Sequence, residues 1–94
     1  MTTAPLTVRL NPNDNVVVAR VDILPGTSLA GEGMAASQRI PAGHKVATRP
    51  IGRGEPVRKF DQIIGFATQD VLPGEHVHVQ NCAMGDFARD YAVG

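Results

Sequence analysis

The sequence predicts an all-β fold, a small barrel-like clip of short strands and tight turns, and three observations predict it. One phrase occurs four times: Ile23-Leu24-Pro25-Gly26 leading to Leu29, Ile40-Pro41-Ala42-Gly43 to Val46, Ile51-Gly52-Arg53-Gly54 to Val57, and Val71-Leu72-Pro73-Gly74 to Val77. Each copy reads apolar, two residues, Gly, two residues, apolar. Between the copies lie short β-branched runs rather than helical periods. Helical spacing is confined to Met84, Phe87, Ala88 and Tyr91, which predict a short C-terminal helix or a docking tail.

The phrase has the chemistry of a turn between strands. Pro25 and Pro73 set φ for the first central position, and the Gly after each accepts a positive φ. The unequal spacing of the copies excludes a solenoid, whose period would be nearly constant. Leu6–Leu10 alternates Leu6, Val8 and Leu10 with Thr7 and Arg9, a clean period of two that predicts a strand. Asn11-Pro12-Asn13-Asp14-Asn15 is a turn, with Asp14 and Asn15 bonding their own backbone. Val16–Val21 is nearly all apolar and is expected to be a central strand covered on both faces. Lys45–Thr48, Val57–Phe60, Ile63–Thr68 and His76–Gln80 are further strands, and the Gly- and Ala-rich run Ala30–Ser37 reads as a loop. Asp22 and Asp70 precede the phrase by the same interval and read as turn stabilisers.

The chain has 94 residues, enough for one domain with a modest core. Nine basic and nine acidic residues balance, so nothing in the charge points to nucleic acid or an anionic membrane as partner. No apolar stretch reaches the roughly 20 residues of a membrane span, and Met1–Pro5 lacks the layout of a secretory signal. The single cysteine, Cys82, has no internal partner for a disulfide, which suits a cytoplasmic location. There is no phosphate-binding Gly loop, CxxC pair or Gly-x-Ser-x-Gly elbow.

At Asp14-Asn15-Val16-Val17-Val18-Ala19, and again at Ile40-Pro41-Ala42-Gly43-His44-Lys45-Val46-Ala47, the chain resembles the start of the altronate and galactarate dehydratase family. It is also similar to the small subunit of sulfolactate sulfo-lyase. Ile63-Ile64-Gly65-Phe66-Ala67-Thr68, then Asp70 and Gly74-Glu75-His76-Val77-His78-Val79-Gln80-Asn81, resemble the second half of the same region, and Phe87–Ala92 resembles the segment leading into the large domain of fused members. The resemblance implies a β-clip fold of the SAF type, with a core over residues 13–83 and a tail over 84–94 directed toward a large catalytic region. It departs from the family at the small-residue run Ala30–Ala36 and at Gln80, where His is common in relatives.

All three histidines, His44, His76 and His78, fall inside these phrases. On a strand His76 and His78 share a face, with Val77 and Val79 buried on the other. His44 follows a turn Gly and is expected near them. Imidazoles so gathered would serve as catalytic acid, base or hydrogen-bond donor, or ligate a divalent metal through His76 and His78. The plain alternative is a polar edge facing solvent or a partner. Lys45, Lys59 and Asn81 are candidates to bind the substrate, the lysines as point charges for its carboxylate, with edge protection against aggregation as their other reading. Arg53 and Arg58 fall in the same class, and Cys82 has no motif that argues for a nucleophile.

The resemblance implies a hydro-lyase that removes water from a sugar acid, with Fe2+ or Mn2+ held mainly by the large region. This chain is expected to be a small domain or subunit, inactive by itself. Its partners would be that large dehydratase region, the sugar-acid substrate and, through exposed strand edges, further copies of itself. A non-catalytic sugar-acid-binding or assembly module is the alternative.

Overall fold

The computed structural model describes residues 5–84, and among them every regular element is a strand. In chain order these are β1 (Thr7–Val8), β2 (Val16–Ala19), β3 (Ser28–Leu29), β4 (Met34–Ala35), β5 (Lys45–Ala47), β6 (Pro56–Lys59), β7 (Gln62–Ala67), β8 (His76–Val77) and β9 (Cys82–Met84). The all-β expectation therefore holds; of the helix or tail expected from Met84 onward, Met84 itself ends strand β9, and the rest lies outside the described residues. No helix among the described residues is long and apolar enough to cross a membrane.

Antiparallel pairing arranges the strands as β1-β2-β5-β8, β6-β7-β9 and the hairpin β3-β4. The first sheet divides two apolar clusters. β2 sends Val16 to one and Val17 to the other, and β5 does the same with Ala47 and Val46. This is the central strand covered on both faces that the apolar run predicts. It ends at Ala19, and Val21 beyond it is 47% exposed, because the chain already bends there into the first turn phrase.

The four phrases organise everything else. Their first and last apolar residues are all buried: Ile23, Leu29, Ile40 and Val46 in one cluster, Ile51, Val57, Val71 and Val77 in the other. Phrases one and two are joined by an antiparallel bridge at Ile23–Ile40, and phrases three and four by the matching bridge at Ile51–Val71. The chain is thus two lobes of one design. Each buried aliphatic side chain contributes on the order of 1.5–3 kcal/mol of burial free energy, so these eight positions carry much of the stability.

The turns match at the level of single hydrogen bonds. In each, the residue after Gly donates its N–H three residues back, to Leu24, Pro41, Gly52 or Leu72. Gly26, Gly43, Gly54 and Gly74 all have φ between +84° and +91°, the conformation the third residue of a type II turn requires. Each Gly N–H donates to an alanine carbonyl, Ala36, Ala19, Ala67 or Ala47 respectively, and that alanine donates back to the residue after the Gly. All four alanines are buried. Asp22 and Asp70 stabilise turns as expected, each reaching across its lobe: Asp22 accepts from Ala42 N–H and Asp70 from Arg53 N–H.

Two other expectations are corrected. The run Ala30–Ser37, expected as loop throughout, contains β4, which pairs with β3 through Ser28–Ala35 and Leu29–Met34. Gly31 and Gly33, at φ +88° and +74°, make that hairpin in a run with no hydrophobic period to announce it. Asp14 and Asn15 cap a distant hairpin rather than their own turn. The buried Asp14 carboxylate accepts from Phe60 and Asp61 N–H, both 2.8 Å. Asn15 accepts from Arg58 N–H and donates to the Pro56 carbonyl.

Candidate functional site

The site grows from a break in the turn symmetry. At three of the four turns, the residue after Gly folds back on its own turn. Thr27 donates its hydroxyl to Leu24 O, Glu55 accepts from Gly52 N–H, and Glu75 accepts from Leu72 N–H. His44 occupies the same place in the second turn but reaches outward. Its Nδ1 lies 2.8 Å from His76 Nε2, a contact in which one ring donates to the other.

His76 begins β8, which pairs with β5 through Val46–His76 and Lys45–Val77. That register sets His76 beside the segment that carries His44. The expected strand His76–Gln80 stops at Val77, and the buried Asn81 accounts for the stop. Its amide donates to His76 O at 2.8 Å and accepts from His78 N–H at 3.0 Å, while its own N–H donates to His78 O. These bonds curl residues 78–81 into a turn in place of a ladder. Val79, expected in the core, is consequently 72% exposed, whereas Val77 is buried as expected.

The three rings stack despite the missing strand. Centroids are 4.2 Å apart for His44–His78, 5.0 Å for His44–His76 and 5.6 Å for His76–His78, with interplanar angles of 15–24°. One ring nitrogen from each lies within 4.8 Å of the others. His78 Nδ1 is buried, with no hydrogen-bond partner among the described residues. Gln80, on the turn that Asn81 closes, donates to His76 O and places its amide 3.3 Å from His76 Nδ1.

The surroundings favour the neutral form of His76 and His78. Burial, and after it the charges of His44, His78 and Lys45, hold His76 below the ordinary histidine pKa, and burial followed by His44 and Lys45 does the same for His78. Lys45 is buried along β5, and its ammonium is pushed down by burial and then by Lys59. Neither lysine makes an ion pair among the described residues. The neighbourhood is therefore one of donors and positive charge, suited to an anionic oxygen. Burial raises the Cys82 thiol and Lys45 partly opposes it, so the thiol stays protonated at neutral pH.

Of the candidate residues, His44, His76 and His78 come together, and Lys45 and Lys59 lie within electrostatic reach of one another, with Lys45 also acting on the rings. Asn81 is 4% exposed, with its amide committed to the backbone of the histidine turn. Arg53 and Arg58 lie elsewhere: Arg53 is at the third turn, and Arg58 lines a polar cleft with Asn13, Asn15 and Arg49. Sequence reasoning missed Gln38, whose Oε1 accepts from His76 N–H, and Gln80 as a ring partner. Gln38 lies 38 positions before His76, with no motif to join them. Gln80 carried a signal only through the resemblance, which singles it out as a departure from the family's pattern.

The family model described as the altronate/galactarate dehydratase SAF domain matches residues 5–85. Altronate dehydratase of Bacillus subtilis is 36% identical over 76 residues, and that of Escherichia coli 34% over 76 residues; in each the match is 79% of this chain and 15% of the relative. The chain thus corresponds to a small part of those proteins. The (2R)-sulfolactate sulfo-lyase subunit alpha of Paracoccus pantotrophus is 41% identical over 49 residues, 52% of this chain and 73% of that subunit.

Proposed function

The chain belongs to the altronate/galactarate dehydratase SAF domain family, and we propose on that premise that it is the small domain or subunit of a carbon–oxygen hydro-lyase acting on a sugar acid. The observation that carries the reading is the histidine at the second turn. Alone among four equivalent positions, it leaves its turn to meet two other imidazoles.

Loss of water from an aldonic or aldaric acid requires removal of the proton α to the carboxylate and departure of the β-hydroxyl, giving a 2-keto-3-deoxy acid. The neutral rings of His76 and His78 suit proton transfer near pH 7, and His44 exchanges a hydrogen bond with His76. Lys45 and Lys59 receive the carboxylate, and Asn81 positions the histidine turn. A divalent ion, when bound, supplies charge stabilisation for the enolate-like species and the leaving oxygen. The rest of the pocket for a six-carbon acid belongs to a larger partner region, over which this clip closes as a lid.

The test is reconstitution with the neighbouring large polypeptide, using altronate, galactarate and sulfolactate as substrates. Turnover is expected only from the combination, with a loss of about 10²-fold or more for His44→Ala or His78→Ala. Keto-deoxy acid formed by this chain alone, or a large polypeptide fully active without it, would overturn the proposal. Full activity of the histidine variants would favour a binding or assembly role.

A further inference from the structure

The three histidines have the nitrogen spacing of a ligand set, which their near-parallel rings complete by rotating out of the stack so that the lone pairs converge on one ion. Bonds of about 2.0–2.1 Å to a tetrahedral ion place ligand nitrogens about 3.3 Å apart. The 2.8 Å contact between His44 Nδ1 and His76 Nε2, and the 4.8 Å span containing all three donors, bracket that distance. His78 Nδ1 supplies the independent sign. A buried ring nitrogen without a partner costs on the order of 1–3 kcal/mol, a cost that an ion bound at that nitrogen would offset.

Orienting groups are present too. A metal-bound histidine donates its other ring N–H to a carbonyl or carboxylate, which fixes the tautomer. With His76 bound through Nε2, Nδ1–H faces the Gln80 amide at 3.3 Å, whose oxygen can take that place by a flip of the amide. Gln38 and Asn81 hold the backbone on either side of His76.

The donor chemistry selects the ion. Among the described residues no carboxylate or thiol joins the cluster, and an all-imidazole set prefers Zn2+ or Fe2+ to the hard ions Mg2+ and Mn2+. Three protein ligands leave a tetrahedral ion one open position. Lys45, buried on β5 and next in the chain to His44, adds positive charge beside the cluster and suits an anionic oxygen in that position. We infer that His44, His76 and His78 form a three-imidazole centre in this chain for a divalent transition ion, with Fe2+ and Zn2+ ahead of Mn2+ and with an open position for an anionic oxygen. The identity of that oxygen as a sugar-acid carboxylate rests on the proposed function; the centre itself does not.

The experiment is calorimetric titration of the metal-stripped 94-residue chain with Zn2+, Fe2+ (anaerobically) and Mn2+, alongside long-range ¹H–¹⁵N spectra of the histidine rings. One equivalent of Zn2+ is expected to shift all three ring systems together, with Mn2+ bound at least about tenfold more weakly. His44→Gln and His78→Ala are expected each to weaken Zn2+ by more than about tenfold, and Gln80→Ala by about tenfold through lost orientation. Two independent ligand variants keep the test decisive should one of them fold poorly. Zn2+ affinity indifferent to both, or shifts confined to one ring, would overturn the centre. A metal-binding chain that never supports turnover with the large polypeptide would instead defeat the proposed function and leave the centre standing.

Discussion

The two lobes share one hydrogen-bond frame and differ in what they hang on it. In the lobe holding the third and fourth phrases, Glu55 and Glu75 occupy the position after Gly and cap their own turns. In the other lobe the same position holds Thr27, which also caps, and His44, which does not. The comparison separates scaffold from site. The repeated bonds build the clip, and chemistry enters where one copy gives up its cap. The fourth phrase contributes the rest of the site by running on through Val77 into the turn that Asn81 closes.

The sharpest way to break this equivalence is at glycine. All four turn glycines are left-handed, but a Cβ on Gly74 would meet Ala35 O at 2.4 Å and Ser37 N at 3.1 Å, whereas Gly43 opens onto empty space. Gly74 O also accepts from Ser37 N–H, so this turn is packed against the segment that follows β4. Gly74→Ala is expected to destabilise the fold by more than about 3 kcal/mol, the backbone strain adding to overpacking. Gly43→Ala is expected to cost only the left-handed penalty of about 1–2 kcal/mol. Chemical denaturation of both variants measures the difference, and equal losses would mean that the lobes do not meet as described.

A smaller effect is expected at Asp14, the one buried carboxylate among the described residues. Asp14→Ala leaves Phe60 and Asp61 N–H without their acceptor at a hairpin where both residues have positive φ, 58° and 57°. A loss of about 2–3 kcal/mol is expected in denaturant titration, with hydrogen exchange accelerated at those two amides first.

The smallest effect comes from the exposed carboxylates that join the two turns within each lobe. The bond from Ala42 N–H, and after it Arg39, holds the Asp22 carboxyl below its usual pKa of 3.8. A depressed carboxylate pKa contributes stability above the unfolded value, which is lost as pH falls through 3.8 toward the folded value. Stability measured from pH 5 down to pH 2.5 is therefore expected to fall less steeply in Asp22→Asn than in the parent chain, by a small margin because the group is fully exposed.

Much of this was legible in the residues because it depends on local chemistry. The four Gly turns, their buried flanking aliphatics and the two-faced run from Val16 follow from φ preferences and apolar spacing. The gathering of His44 with His76 was legible only as an expectation, since it depends on the β5–β8 register, which no local pattern states. The curl of residues 78–81 was hidden for a related reason. A strand reading of His76–Gln80 satisfies the alternation of apolar residues, and only the buried Asn81 amide, bonding to backbone at two points, outweighs it. Asp14 and Gln38 act on residues 46 and 38 positions away, beyond any motif.

The central claim is that three imidazoles from two separate phrases share one stack. Ring-proton NOEs in the metal-free chain at neutral pH test it most directly. Cross-peaks are expected between His44 and His78, whose centroids are 4.2 Å apart, with weaker ones from each to His76. A spectrum in which His44 shows cross-peaks to its own turn and none to either other ring would contradict the account.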